Sequence, residues 1–216
     1  MTCEPVNSAF QKIFPVATLV MVDMCKSNLP RGLKRAPAGT VLQNCRCALS
    51  FARRFGWPVA HVRSSQDAGR AGISYETIGG FEPARADALF ERRTLSCYSS
   101  PYFGSVIRET AGAAVIAGFL GPGGALSTVA DAIQVGDRIT VLSDATLDNI
   151  SNRIFAEPVI SLLRAYTTFN ISVLTTAAWL RSVEEIPANI AKALPTTTKL
   201  KSAGRRRAAE GDGAII

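Results

Sequence analysis

The sequence predicts a three-layer α/β/α domain built on a doubly wound, mostly parallel sheet. Short, almost continuous apolar runs alternate with helical patterns along the chain, the rhythm of strand–helix–strand units. At the centre lies Val115–Ala132, VIAGFLGPGGALSTVADA, an apolar strand, a glycine-rich turn and a helix of small residues. With 216 residues, 47% of them apolar, the chain is long enough to bury one substantial core.

Each element has its own signal. Val16–Val22 (VATLVMV) reads as a strand covered on both faces, ending at Asp23. A carboxylate at the carboxyl end of a central strand stands where open parallel sheets bind ligands; the other reading of Asp23 is a cap on the next turn. Thr40–Gly56 reads as a helix, with Val41, Leu42, Cys45, Ala48, Leu49 and Ala52 at helical spacing and Gly56 as its stop. Trp57–Val62 is a second strand with Pro58 at its beginning, where proline is tolerated.

Ser64–Asp87 is a long connection, with Tyr75, Ile78 and Phe81 as its possible anchors. Loops of that length serve as lids or substrate walls. Ala88–Glu91 is a short strand that delivers Arg92 and Arg93, and a helix over Pro101–Thr110 follows, to be capped by Ser99 or Ser100. Beyond the central elbow, Arg138–Leu142 is a strand ending near Ser143 and Asp144; Asp148 and Asn149 suggest that Asp144 lies in a solvated loop. Ile154–Tyr166 is a helix with Pro158 in its opening turns, and Ile171–Thr175 is the last strand.

Composition excludes several classes of function. No run approaches the ~18 apolar residues of a membrane span, and Met1–Asn7 lacks the basic and apolar regions of a secretory signal. Cytoplasmic placement is expected, with Cys3, Cys25, Cys45, Cys47 and Cys97 as reduced thiols. These cysteines and the single histidine, His61, form no metal set, and one histidine makes a Ser-His-Asp arrangement improbable. His61, inside a strand, reads as structural rather than catalytic. The net charge of +7 is concentrated from Lys192 onward, where six cations face two acids. The expected division is therefore a domain over 1–191 and a basic, solvated tail over 192–216, with no nucleic-acid partner.

The turn of the elbow aims backbone N–H groups near Gly123, Gly124 and Ala125 above the sheet edge, yet Gly118–Ala125 contains no nucleophile, acid or base. The order of features resembles the isochorismatase-like cysteine hydrolase superfamily over roughly residues 14–180. Four stretches carry the resemblance: Val22-Asp23-Met24, GWPVAHVR at Gly56–Arg63, Arg92 with Ser96-Cys97-Tyr98, and the elbow itself.

The resemblance implies an Asp after the first strand, a Lys after the third and a Cys at the helix N-terminus. Asp23 matches the first, and Arg92 falls at the lysine position. The cysteine position, seven before Asp131, falls on Gly124, with Ala125 beside it; neither has a thiol. Cys97 then reads as a packing residue, with a displaced nucleophile as the lesser alternative.

A non-proline cis peptide near Phe119–Leu120 is also implied. On this resemblance Asp23 and Arg92 are the catalytic residues. Tyr98, Phe119, Leu120, Gly121, Gly123, Gly124 and Ala125 are the substrate-binding ones. No metal or cofactor is implied, and a homo-oligomer acting on a small molecule is. Isochorismatases proper also carry glycine at that elbow position and use the aspartate as an acid. The implied activity is thus thiol-independent hydrolysis through Asp23, with Arg92 holding a substrate carboxylate. The alternatives are a catalytically silent binding scaffold and an amidase whose thiol has been lost.

Overall fold

Strand order decides where a site can form. The computed structural model describes residues 16–29, 36–65, 76–148, 153–154, 157–166 and 169–183. All of these but Val183 fall in one compact unit, Met1–Ser182. The expected boundary at 191/192, and the tail after it, lie outside the described residues. The strands are β1 (Thr18–Val22), β2 (Val59–Ser64), β3 (Ala88–Arg92), β4 (Ala113–Gly118), β5 (Arg138–Asp148), β6 (Arg153–Ile154) and β7 (Ile171–Leu174).

The path across the sheet is β3-β2-β1-β4-β5-β6, and β7 pairs with β5. All pairings are parallel except β5 with β6. The chain therefore starts in the middle, winds outward to β3, then returns to β4 on the other side of β1. That reversal between β1 and β4 sets the switch point at their carboxyl ends, which is where doubly wound sheets hold ligands.

Both faces are covered. Val20 and Val22 of β1 join Val62, Phe90, Phe103, Ile107, Val129 and Leu163 in one core. Its helices are α2 (Phe103–Glu109), α3 (Gly121–Val135) and α4 (Glu157–Ala165). Leu19 and Met21 alternate to the opposite face, over which lies α1 (Ala36–Arg54) with its buried stripe from Val41 to Ala52. Two side chains tie α1 to β5: Asn44 Nδ2 donates to the Asp144 carbonyl (2.8 Å) and the Cys45 thiol to that of Ala145 (3.1 Å). No helix among the described residues is long and apolar enough to cross a membrane.

Several element boundaries differ from the expectation. The helix expected over Pro101–Thr110 begins at Phe103, and neither serine caps it; its N-cap, Tyr102, makes no side-chain bond. Ser99 Oγ instead accepts the N–H groups of Arg93 and Thr94, each at 3.0 Å. The helix expected from Ile154 begins at Glu157, because residues 153–154 pair with the end of β5.

The largest correction concerns β5, which does not end at Leu142 but runs on to Asp148. Its pairing with β4 jumps from Ile116↔Val141 to Gly118↔Thr146, a bulge that Thr146 Oγ1 closes onto the Leu142 carbonyl (2.6 Å). Asp144, within this bulge, is not in a solvated loop. Its Oδ1 accepts from Thr176 N (2.7 Å) and Thr176 Oγ1 (2.8 Å), capping the start of helix α5 (176–183). Trp179 of α5 then packs edge-on against Phe51 and Trp57, with centroids 5.4 and 5.6 Å away.

His61 is structural, as expected. It is buried on β2, and its Nε2 lies 3.1 Å from Asp87 Oδ2, which also accepts from Arg53 Nη2 (3.0 Å) and Ala84 N (2.8 Å). Burial pushes the imidazole below its ordinary 6.5, against the upward pull of the Asp87 hydrogen bond and charge. Burial also raises the Asp87 carboxyl, but the donors from Ala84, Arg53 and His61 outweigh it and bring the group below 3.8.

The signs agree. Because His61 binds its proton more weakly when folded, its contribution to stability is full above 6.5 and shrinks as pH falls below that. Asp87 contributes above 3.8 and is lost further down. Thermal melts are expected to fall between about pH 7 and about pH 5, and less steeply in His61→Gln. An equal slope in the variant would remove His61 from the account.

Candidate functional site

Three strand ends meet at the carboxyl edge of the sheet. Asp23 follows β1 in a left-handed backbone conformation, φ +50°, which an aspartate tolerates better than most residues. Its N–H donates to the Val62 carbonyl (2.8 Å), so the chain turns only after its side chain has reached the sheet edge. There Oδ1 accepts the N–H of Ser64, the last residue of β2, at 2.8 Å. Oδ2 accepts Nη2 of Arg92, the last residue of β3, at 2.5 Å. Ser64 and Arg92 are register partners, so the contacts run straight across the carboxyl edge.

Asp23 and Arg92 are both buried, 4% and 7% exposed. The contact with Arg92 is an ion pair, the stronger class of hydrogen bond. The guanidinium is engaged on its other side too: Nη1 donates to the carbonyls of Thr94 (2.9 Å) and Leu95 (2.7 Å). Its Nε is buried and has no hydrogen-bond partner among the described residues.

The fourth wall is the elbow. Gly118 closes β4 at φ +113°, so close to β1 that an added Cβ would stand 2.3 Å from the Val22 carbonyl oxygen. Phe119 N donates to that oxygen at 2.8 Å. Gly121, φ +67°, then turns the chain into α3. The N-cap, Leu120, offers no side-chain bond, so the first turn of α3 has no side-chain cap. The cis peptide expected at Phe119–Leu120 is not there, since no described peptide bond is cis. The positive φ angles of Gly118 and Gly121 make the reversal instead.

Not every expected residue joins this group. Phe119 and Leu120 are buried, and Gly124 lies under Leu120: a Cβ there would meet Leu120 Cδ1 at 2.9 Å and the Leu95 oxygen at 3.3 Å. The space over Gly124, where the resemblance implies a thiol, is thus taken by Leu120 and Leu95. Gly123 is exposed and Ala125 fully buried. Tyr98 turns elsewhere: its hydroxyl donates to Asp137 Oδ2 (2.8 Å), its ring packs on Phe103, and it lines an outer cavity of about 370 Å³ with Arg108 and Asp131.

Cys97 is fully buried, and its N–H donates to Thr128 Oγ1 (3.1 Å). Burial pushes its thiol up to about 11, against the Thr128 hydrogen bond and the Arg92 charge. Such a thiol is a packing group rather than a nucleophile. In the connection after β2, Ile78 and Phe81 are buried anchors, whereas Tyr75 lies outside the described residues.

What sequence reasoning missed is Leu95 and Ser64. Ser64 acts through its backbone, which no side-chain motif can signal. Leu95 contributes a carbonyl and a half-exposed side chain that lies 3.3 Å from where a Gly123 Cβ would be.

Solved structures share this architecture. An isochorismatase from Pseudomonas putida is 24% identical over 80% of this chain and 98% of its own, with a TM-score of 0.59. The N-carbamoylsarcosine amidase of Thermoplasma acidophilum is 20% identical over 74% and 96%, also at 0.59. A cysteine hydrolase from Pseudomonas syringae is 18% identical over 85% and 96%, at 0.62. No curated protein sequence matches the chain. The isochorismatase domain model matches residues 17–153, from just before β1 to the pairing of β5 with β6. With most of its length matched to that domain, the chain belongs to the isochorismatase family.

Proposed function

We propose that the chain hydrolyses a small carboxylated metabolite without a thiol, using Asp23 as acid and base. The observation that carries this reading is the buried Asp23–Arg92 pair beside the first turn of α3, at the reversal of strand order. A substrate carboxylate that shares the Arg92 guanidinium loosens its hold on Asp23 and lets the carboxyl carry a proton. With a vinyl ether, Asp23 passes that proton to the substrate carbon. Water adds to the resulting oxocarbenium and returns a proton to the carboxylate, and the hemiketal then collapses to carbonyl and alcohol.

A second reading, a silent binding scaffold, is favoured by the filling of the Gly124 position by Leu120 and Leu95. One screen separates the two: wild type against Asp23→Asn, with isochorismate and a panel of small amides. Turnover of the ether that falls about 10²–10⁴-fold in the variant supports acid catalysis. No turnover by a folded wild type leaves the scaffold reading. Amide turnover points to a nucleophile other than Asp23. Self-association belongs to the same proposal, and a solution mass of 23.0 kDa by light scattering would sink it.

A further inference from the structure

Residues 93–96 form a strap between Arg92 and the first turn of α3. Its side chains at Arg93, Thr94 and Leu95 are exposed, so lifting it sacrifices little apolar burial. What holds it down is polar. Ser99 Oγ accepts the N–H groups of Arg93 and Thr94, Thr94 Oγ1 accepts that of Ser96 (3.4 Å), and Arg92 Nη1 grips two of its carbonyls. The glycines at 123 and 124 let it lie close: Leu95 Cδ1 and the Leu95 oxygen each stand 3.3 Å from a position that a Cβ would occupy.

The strap thus presents two carbonyl oxygens to Nη1 of a buried guanidinium whose Nε has no hydrogen-bond partner among the described residues. A carboxylate oxygen brings to Nη1 the full negative charge that a carbonyl lacks. We infer that the Thr94 and Leu95 carbonyls stand in for an anionic ligand, and that a small carboxylate binds Arg92 by displacing this strap. The inference rests on the reading of Arg92 as the anion holder, but it does not require that the chain be a catalyst.

The structure of the gate fixes its energetics. Ligand affinity is reduced by the fraction of molecules in which the strap is lifted, so weakening its anchors tightens binding. Ser99→Ala removes the acceptor of two hydrogen bonds, which is expected to lower the half-saturating concentration of a carboxylate by about tenfold. Leu95→Ala, which removes the side chain resting on Gly123, is expected to act in the same direction and less strongly.

The test is amide hydrogen exchange on the full chain with benzoate as the probe. Saturating benzoate is expected to speed exchange at Arg93, Thr94 and Ser96 while the β1 amides stay protected. The half-saturating concentration should fall in Ser99→Ala. Slower or unchanged exchange in the strap, or the absence of any response in both proteins, overturns the inference. A rise shared by β1 means general unfolding, which also overturns it. If the strap responds while isochorismate is not turned over, only the hydrolase reading fails. Turnover with a strap that does not respond removes the gate alone.

Discussion

Gly118→Ala is expected to destabilise the fold by about 4 kcal/mol or more, the sum of a strained positive φ and an overpacked contact. The methyl group would stand 2.3 Å from the Val22 oxygen and 2.8 Å from the Val22 nitrogen, and neither can step aside. Both belong to β1, which is held by parallel pairing on each side. Relief must come from moving the elbow, which breaks the Phe119 N–H bond to Val22 and displaces α3. For a domain of this size, about 4 kcal/mol corresponds to a melting temperature some 8–16 °C lower. A variant that melts within about 2 °C of wild type would mean that the close approach of β4 to β1 is not what positions the elbow.

Arg92→Met is expected to cost about 3–5 kcal/mol, because it takes from the buried Asp23 the guanidinium it is paired with. It also strips the Thr94 and Leu95 carbonyls of their donor. The penalty is a property of the pair. Adding Asp23→Asn should therefore restore part of the loss, with a coupling of about 1–3 kcal/mol in a double-mutant cycle from urea melts. Additive losses would show that the two side chains do not depend on each other. Arg92→Lys should fall between, since an ammonium reaches Asp23 but cannot hold the planar fork to two carbonyls at the same time.

Much of this was legible in the sequence because the physics is local. A strand buried on both faces must be apolar throughout, so Thr18–Val22 announces itself, and the first polar residue after it, Asp23, marks the sheet edge. The helical stripe of α1 and the strand–glycine–helix elbow are read the same way. Asp144 shows where the method ends. Ser143-Asp144 looks like the close of a strand, but β5 bulges there and resumes with Ala145, Thr146 and Leu147 all buried. The side chain that seemed solvated caps a helix 32 residues away.

The candidate site divides along the same line. Asp23 was read from its position at a strand end and Arg92 from the resemblance, and the structure pairs the two. Tyr98 came from the resemblance, and a motif does not say which way a side chain faces: its hydroxyl bonds Asp137. No spacing rule says which side chain fills the space over a glycine, so the occupation of the Gly124 position by Leu120 and Leu95 emerged only from the packing.

The ring cluster of Phe51, Trp57 and Trp179 has a practical outcome for anyone following this protein by intrinsic fluorescence. The chain's two tryptophans touch each other, with centroids 5.6 Å apart, and Trp57 sits before the amino end of β2. Asp23 and Arg92 lie beyond the carboxyl end of that strand, about 20 Å away along its six residues. Emission will therefore report the docking of α5 onto α1, and the melting of that corner, while remaining blind to events at the carboxylate.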